Sequence, residues 1–160
     1  MSMRTSYSKR VMLGPYLGYK QIWESLRARG VGVTPAADNL LRQLPIKEEH
    51  NEARVEVLSV HALHETAGCK YQDLVVSGRA RGLFPGPADL GPSLCLADLG
   101  LEDGEWVYAI SAPITAPDKS IRLFGFGMKS GKMVLGLGNG KPDYYWHPAK
   151  LVAFIREDRS

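Results

Sequence analysis

Residues 79–114, RARGLFPGPADLGPSLCLADLGLEDGEWVYAISAPI, decide how the rest of the chain is read. Leading into them, Tyr71, Leu74, Val75 and Ala80 fall near helical spacing, and Arg79 and Arg81 precede Gly82. Cationic side chains in a last turn, followed by a residue that tolerates the left-handed closing conformation, predict a helix over residues 70–81. Pro85 and Pro87 lack an N–H and fix φ, so they stop that helix. Pro87 also suits the first turn of a short second helix, over residues 88–94. Asp103-Gly104 is a turn dipeptide, because both residues accept positive φ. Behind it the aromatic and β-branched run WVYAI, residues 106–110, predicts the first strand of a C-terminal sheet.

Downstream, residues 121–128, 132–137 and 151–155 read as further strands. The turns Lys129-Ser130-Gly131 and Gly138-Asn139-Gly140 punctuate them into an antiparallel meander. Upstream, residues 54–60 alternate with Val55 and Val57 on one face, and the polar residues 47–53 read as a linker. Leu17, Ile22, Trp23 and Leu26 can share a helix face closed by Gly30. Thr34-Pro35 then reads as N-cap and first-turn proline of a helix over residues 36–44, which Pro45 ends. Residues 1–13 show no sustained period and are expected to form an arm.

The expected fold class is α+β: an N-terminal helical hairpin, then a mostly antiparallel sheet of about five strands with two short helices. Residues 1–46 form the basic arm and hairpin and residues 47–160 the α+β body, within one globular unit.

At 160 residues, 44% apolar and 23% charged, the chain is long enough to bury one good core. Two cysteines, Cys69 and Cys95, and no apolar signal region point to a reducing, cytoplasmic setting. No run approaches the roughly 20 apolar residues of a membrane-spanning helix, so no membrane partner is expected. The net charge is +3, but eight basic residues against two acidic ones lie up to Lys47. A basic N-terminal third on a slightly acidic body either meets an anionic partner or is a solvated helix face.

No constellation of residues requires a particular chemistry. The helix pair carrying Arg27, Arg29 and Arg42 loosely resembles the helix-turn-helix of transposases and regulators. A base-reading helix, however, should begin with Arg, Lys, Asn or Gln, and this one begins Pro35-Ala36-Ala37-Asp38. His61, His64 and Cys69 have three of the four ligands a structural zinc site needs. His64-Glu65-Thr66 has the His-x-Thr form of two-histidine phosphoesterases, without the second copy they require.

Gly136-Leu137-Gly138-Asn139-Gly140-Lys141 is too short for a phosphate loop, and Pro142 stands where Ser or Thr should bind magnesium. Hairpin turns and close strand packing account for these glycines, and no cofactor is implied. Asp98, Glu102, Asp103 and Glu105 form an acidic cluster whose glycine spacing reads as an exposed turn.

The richest stretch for recognition is residues 141–150, KPDYYWHPAK. Tyr144, Tyr145, Trp146 and His147 combine apolar bodies with polar tips, and Lys141 and Lys150 beside them would allow stacking of a nucleobase. The alternative is that Trp146 and one tyrosine pack beneath the sheet edge.

About two thirds of the chain, residues 55–156, resembles a group of uncharacterised prokaryotic proteins. The shared features are Tyr71, Gly82-Leu83, the corner Pro87 with Leu90-Gly91-Pro92 and Leu94, Gly104-Glu105-Trp106, Pro113-Ile114, and Trp146 with Pro148. Similar proteins have an Asp/Gly-rich loop after Pro-Ile and an acidic neighbour of the late proline. Here Thr115-Ala116-Pro117-Asp118-Lys119 and His147 stand instead. The resemblance implies a fold and no activity.

The functional expectation is a non-catalytic binding protein, phage- or mobile-element-borne, with a protein partner. Its contacts involve the basic N-terminal third (Arg27, Arg29, Arg42) or the loop residues Lys141, Tyr144, Tyr145, Trp146 and His147. A DNA- or RNA-binding protein using the helix pair is the alternative. A hydrolytic enzyme using His61 and His64 or the acidic cluster comes third.

Overall fold

The computed structural model describes residues 6–13, 18–44, 51–64, 68–97 and 99–156. In chain order its elements are β1 (Ser6–Leu13), α1 (Tyr19–Ala28), β2 (Gly32–Val33), α2 (Pro35–Leu41), β3 (Asn51–Ser59), α3 (Val60–His64), β4 (Cys69–Lys70), α4 (Tyr71–Ala80), β5 (Leu83–Phe84), α5 (Leu90–Ala97), β6 (Trp106–Ala109), β7 (Ile114–Thr115), β8 (Ile121–Lys129), β9 (Lys132–Asn139), β10 (Tyr145–Trp146) and β11 (Leu151–Arg156). Among the described residues nine strands make one sheet, ordered β1-β3-β11-β6-β8-β9-β2, with β5 beside β11 and β7 beside β8. The sheet is mixed, because β11–β6 and β2–β9 pair in parallel. A separate two-stranded pair joins β10 to β4.

The broad α+β class stands, but the expected five-stranded sheet behind a helical hairpin does not. Residues 6–13, expected as an arm, are β1 and run antiparallel to β3 from Ser6↔Leu58 to Leu13↔Asn51. Among its described side chains Val11 and Leu13 are the buried ones, too few to give a period, and the partner strand lies some forty to fifty residues on. The two N-terminal helices are not joined by a simple turn. Gly32 and Val33 between them pair with Val134 and Leu135 and extend the far edge of the sheet.

A strand of two residues is below any periodic signal, and its hydrogen bonds depend on a partner a hundred residues away. Of the expected linker, residues 47–50 lie outside the described residues, while residues 51–53 belong to β3. Among the described residues three helices follow the N-terminal pair rather than two, because Val60–His64 forms a further short one.

The local predictions around the corner hold. Helix α4 occupies residues 71–80, and Gly82 closes it at φ 76°. Thr34 caps α2 by accepting from the Ala37 N–H at 3.1 Å. Helix α5 begins two residues later than expected and buries six consecutive residues, Leu90 through Cys95.

Each face of the sheet has its own core, since strand side chains alternate. On one face α1, α2 and α5 cover Val55, Val57, Val107, Ala109, Phe124, Phe126 and Leu135. This cluster draws residues from both sides of position 46. On the other face α3 and α4 cover Leu58, Val152, Phe154, Ile110 and Leu123, and Trp146 joins them. No helix among the described residues is long and apolar enough to cross a membrane.

Candidate functional site

On the second face the described helices, α3 and α4, pack beside β3 and β11. Further along, β6 presents Trp106 and Tyr108, the two residues that alternate with the buried Val107 and Ala109. Opposite them, β8 carries Gly125 and Gly127, and β9 carries Gly136 and Gly138. The pairs Gly-Phe-Gly and Gly-Leu-Gly put both glycines of each strand on the same face, at a period of two.

This absence of Cβ atoms lets the aromatic rings lie down on the backbone. A Cβ at Gly125 would stand 2.6 Å from Trp106 Nε1 and 3.0 Å from Tyr108 Cδ1. One at Gly136 would stand 3.1 Å from the far edge of the indole, and one at Gly138 2.6 Å from Tyr108 Cδ1. Indole atoms from opposite ends of the ring thus meet glycines on two strands, which makes a flat, glycine-floored shelf.

The loop of residues 141–150 walls one side, and backbone chemistry holds it there. Helix α4 begins without a side-chain cap, and the Ser59 hydroxyl that caps α3 takes only the Ala62 N–H, at 3.0 Å. The Tyr71 and Gln72 N–H groups donate to the carbonyls of Tyr144 (2.9 Å) and Pro142 (3.0 Å). Those of Val60 and His61 donate to Lys150 (2.9 Å) and Pro148 (3.0 Å). The loop therefore serves as a tertiary cap for two helices, and β10 pairs it with Cys69 and Lys70.

Its side chains divide accordingly. Trp146 is 2% exposed and packs edge-on against Tyr108 at 4.9 Å and Tyr144 at 5.7 Å, while Tyr144 and Tyr145 are 43% and 55% exposed. Of the two sequence-level possibilities for Trp146, burial beneath the sheet is the one observed. Its Nε1–H has no acceptor among the described residues, a condition that costs about 1–3 kcal/mol for a buried donor.

Two hollows meet over this shelf. One, of about 670 Å³, is bounded by Glu105, Trp106, Tyr108, His147 and Lys150. The other, of about 350 Å³, is bounded by Tyr108, Arg122, Asn139, the tyrosines of the loop, Trp146, His147 and Lys150. Tyr108, His147 and Lys150 border both.

Lys150 Nζ stands 5.5 Å from the Tyr108 ring centroid, in the range of a cation–π contact. Arg122 donates through Nε to Ser120 Oγ at 3.1 Å, which fixes the guanidinium at the margin. The Ala149 N–H donates to His147 Nδ1 at 3.1 Å, so in the neutral ring the proton sits on Nε2 and that nitrogen is a donor. Asn139 Oδ1 accepts from the Lys141 N–H at 2.9 Å, leaving the amide nitrogen as its donor end. The hollows thus combine flat aromatic faces with two permanent cations and neutral donors, against one carboxylate, Glu105.

Of the expected site residues, Tyr144, Tyr145, Trp146 and His147 do line this region, whereas the Lys141 side chain borders neither hollow. Arg27 belongs to α1, and Arg29 and Arg42 are the C-cap residues of α1 and α2, helices that pack on the opposite face. The Arg27 guanidinium lies 5.1 Å from the Trp23 centroid, and that of Arg42 lies 4.3 Å from the Tyr19 centroid. Arg42 also pairs with Asp38 at 3.4 Å, and Tyr19 donates a short hydrogen bond to Asp38. Arg29 is exposed at the end of α1.

The acidic cluster is spent on turns. Asp103 accepts from the Gly131 N–H at 2.9 Å and Glu105 from the Glu102 N–H at 2.6 Å, while Asp98 lies outside the described residues. His61 is exposed on α3 and Cys69 is buried, and the side chain of His64 lies outside the described residues. Among the described residues no three His, Cys, Asp or Glu side chains gather closely enough to hold a metal ion. Burial pushes both the Cys69 and the Cys95 thiol up, which works against thiolate formation.

Trp106, Tyr108, Arg122 and Asn139 are not among the residues the sequence singles out. The signal that points to them is Trp-x-Tyr on one strand beside Gly-x-Gly on each of the next two. No protein-family model, curated protein or solved structure matches this chain.

Proposed function

We propose that this is a non-catalytic binding protein and that its ligand lies on the shelf formed by Trp106 and Tyr108, bounded by the loop of residues 141–150. One observation carries this: four glycines on two adjacent strands underlie two aromatic rings that border open hollows lined, among the described residues, by no helix. Gly in a strand interior costs stability, about 0.5–1 kcal/mol relative to Ala at each position. Four together, aligned on one face, are accounted for by the flat aromatic surface they permit.

The side chains offered there stack, donate hydrogen bonds or carry positive charge. His147, whose Nδ1 is occupied by the Ala149 N–H, is set up as a donor rather than as a base. The N-terminal arginines are a weaker basis for binding. Arg27 sits against Trp23 of its own helix and Arg42, at the end of α2, against Tyr19 of α1, and Asp38 pairs with Arg42.

A test is amide and indole NMR of the 15N-labelled protein with a panel of mononucleotides, oligonucleotides, neutral oligosaccharides and acidic peptides. The expected result is that at least one class moves the Trp106 indole signal together with those of Gly125, Gly136 and Gly138. If every class that binds moves only signals of residues 19–42, the shelf is not the binding surface.

A further inference from the structure

Resting on that assignment, we infer that the shelf takes single-stranded nucleic acid, with bases against Trp106 and Tyr108 and phosphates against Lys150 and Arg122. Three features select this ligand.

The first is topology. Strands β6 and β8 are interior to the sheet and paired on both sides, so a peptide cannot join either of them as an added strand, and β2 covers Val134 and Leu135 of β9. A ligand must be held by side chains projecting from the sheet face. Stacking of unpaired bases on sheet-face aromatics is the arrangement by which a sheet takes a single strand.

The second is charge. Lys150 and Arg122 border the hollows against the single carboxylate of Glu105, which itself accepts from the Glu102 N–H. A neutral sugar would use the aromatic faces and neither cation, whereas a phosphodiester chain uses both, with Arg122 also held by Ser120 and near the carboxylate of Asp118. Lys150, resting over the Tyr108 ring, needs only to swing aside to meet a phosphate as a base takes its place.

The third is repetition. Two hollows, of about 670 and 350 Å³, adjoin across Tyr108 and Lys150, and each falls within the usual size of small-ligand sites, roughly 300–1,000 Å³. Two adjoining sites that share a cation and an aromatic suit two successive units of a polymer better than one mononucleotide. A duplex is excluded from such contacts because its bases are already stacked.

The test uses the full chain with dT8, rU8, an eight-base-pair duplex and thymidine monophosphate at low salt, followed by fluorescence anisotropy and by NMR of the shelf glycines and the Trp106 indole. Both single strands are expected to bind more tightly than the duplex and the monophosphate, and a preference between them tells DNA from RNA. Tyr108→Ala is expected to weaken binding about tenfold. Lys150→Gln, an exposed position, should flatten the dependence of log K on log salt by about 0.7, the value for one phosphate contact on a single strand. Amide spectra of both variants establish that they fold.

No binding by either single strand overturns this inference. So does binding that Lys150→Gln leaves unchanged in affinity and salt slope, or equal binding of single strand and duplex. If an oligosaccharide or acidic peptide moves the shelf signals while nucleic acid does not, the ligand class is wrong and the shelf stands. If nucleic acid binds but moves only residues 19–42, both fall.

Discussion

Gly125→Ala sets two effects of opposite sign against each other at the centre of the shelf. Backbone entropy favours the variant, because alanine in a strand interior is more stable than glycine by about 0.5–1 kcal/mol. Packing opposes it. The new Cβ would stand 2.6 Å from Trp106 Nε1 and 3.0 and 3.1 Å from two atoms of Tyr108, so both rings must lift. Tyr108 is backed by Trp146 at 4.9 Å and cannot move without disturbing that contact. Overfilling a packed site costs about 1–3 kcal/mol, and with two rings displaced the upper part of the range applies, leaving a net loss of about 1–2 kcal/mol.

For a chain of this size that lowers the melting temperature by roughly 2–8 °C. It should also shift the Trp106 indole NMR signal. Gly32→Ala is the control: it too is a strand glycine, but its Cβ would meet the flexible end of Lys132, at 3.4 Å, and Val134 Cγ2 at an ordinary 3.8 Å, so it should be neutral or slightly stabilising. If Gly125→Ala melts at or above wild type with the indole signal unmoved, the glycine floor does not do what is claimed for it.

Two further outcomes are expected. Tyr71 donates to the Ser111 carbonyl at 2.9 Å, and burial pushes its hydroxyl up to about 12. Its contribution to stability is therefore full below about pH 10 and is lost as pH rises toward 12, a loss that should be absent from denaturation curves of Tyr71→Phe. That variant should itself be less stable at neutral pH by about 1–3 kcal/mol, because the Ser111 carbonyl loses its donor. Asp118 accepts from both the hydroxyl and the N–H of Ser120, which holds its carboxyl below the usual 3.8. Its contribution is present above that value and is lost as pH falls through the lowered one. In an NMR titration of the carboxyl carbon, Ser120→Ala should move the midpoint upward, and an unmoved midpoint would exclude the hydroxyl as the cause.

How much of the site was legible varies with the range of the interaction that made it. The turn at Asp103-Gly104 and the strand behind it follow from local backbone preference, and Gly104 indeed has φ 90°. Tyr144 to His147 could be picked out by composition alone, because aromatic residues with polar tips are informative wherever they lie. Their division into one buried ring and two exposed ones could not. It depends on β10 pairing with Cys69 and Lys70 and on carbonyls of the loop capping α3 and α4. Helix α4 lacks a capping side chain and Ser59 caps only the third N–H of α3, and the carbonyls that take the first N–H groups lie roughly seventy to ninety residues further along the chain.

By itself the sequence determined the elements whose information is local. The helices over residues 71–80 and 35–41, the corner that separates α4 from α5, and the strands β6, β8, β9 and β11 all announce themselves through period, caps and turn dipeptides within a dozen residues. Tertiary structure alone decided that residues 6–13 and 32–33 are strands and that β11 lies between β3 and β6. It alone decided, too, that Trp106 and Tyr108 lie over Gly125, Gly136 and Gly138. A hydrogen-bonded edge exists only when its partner is in place, and a glycine's missing side chain has meaning only once a ring occupies the space it leaves.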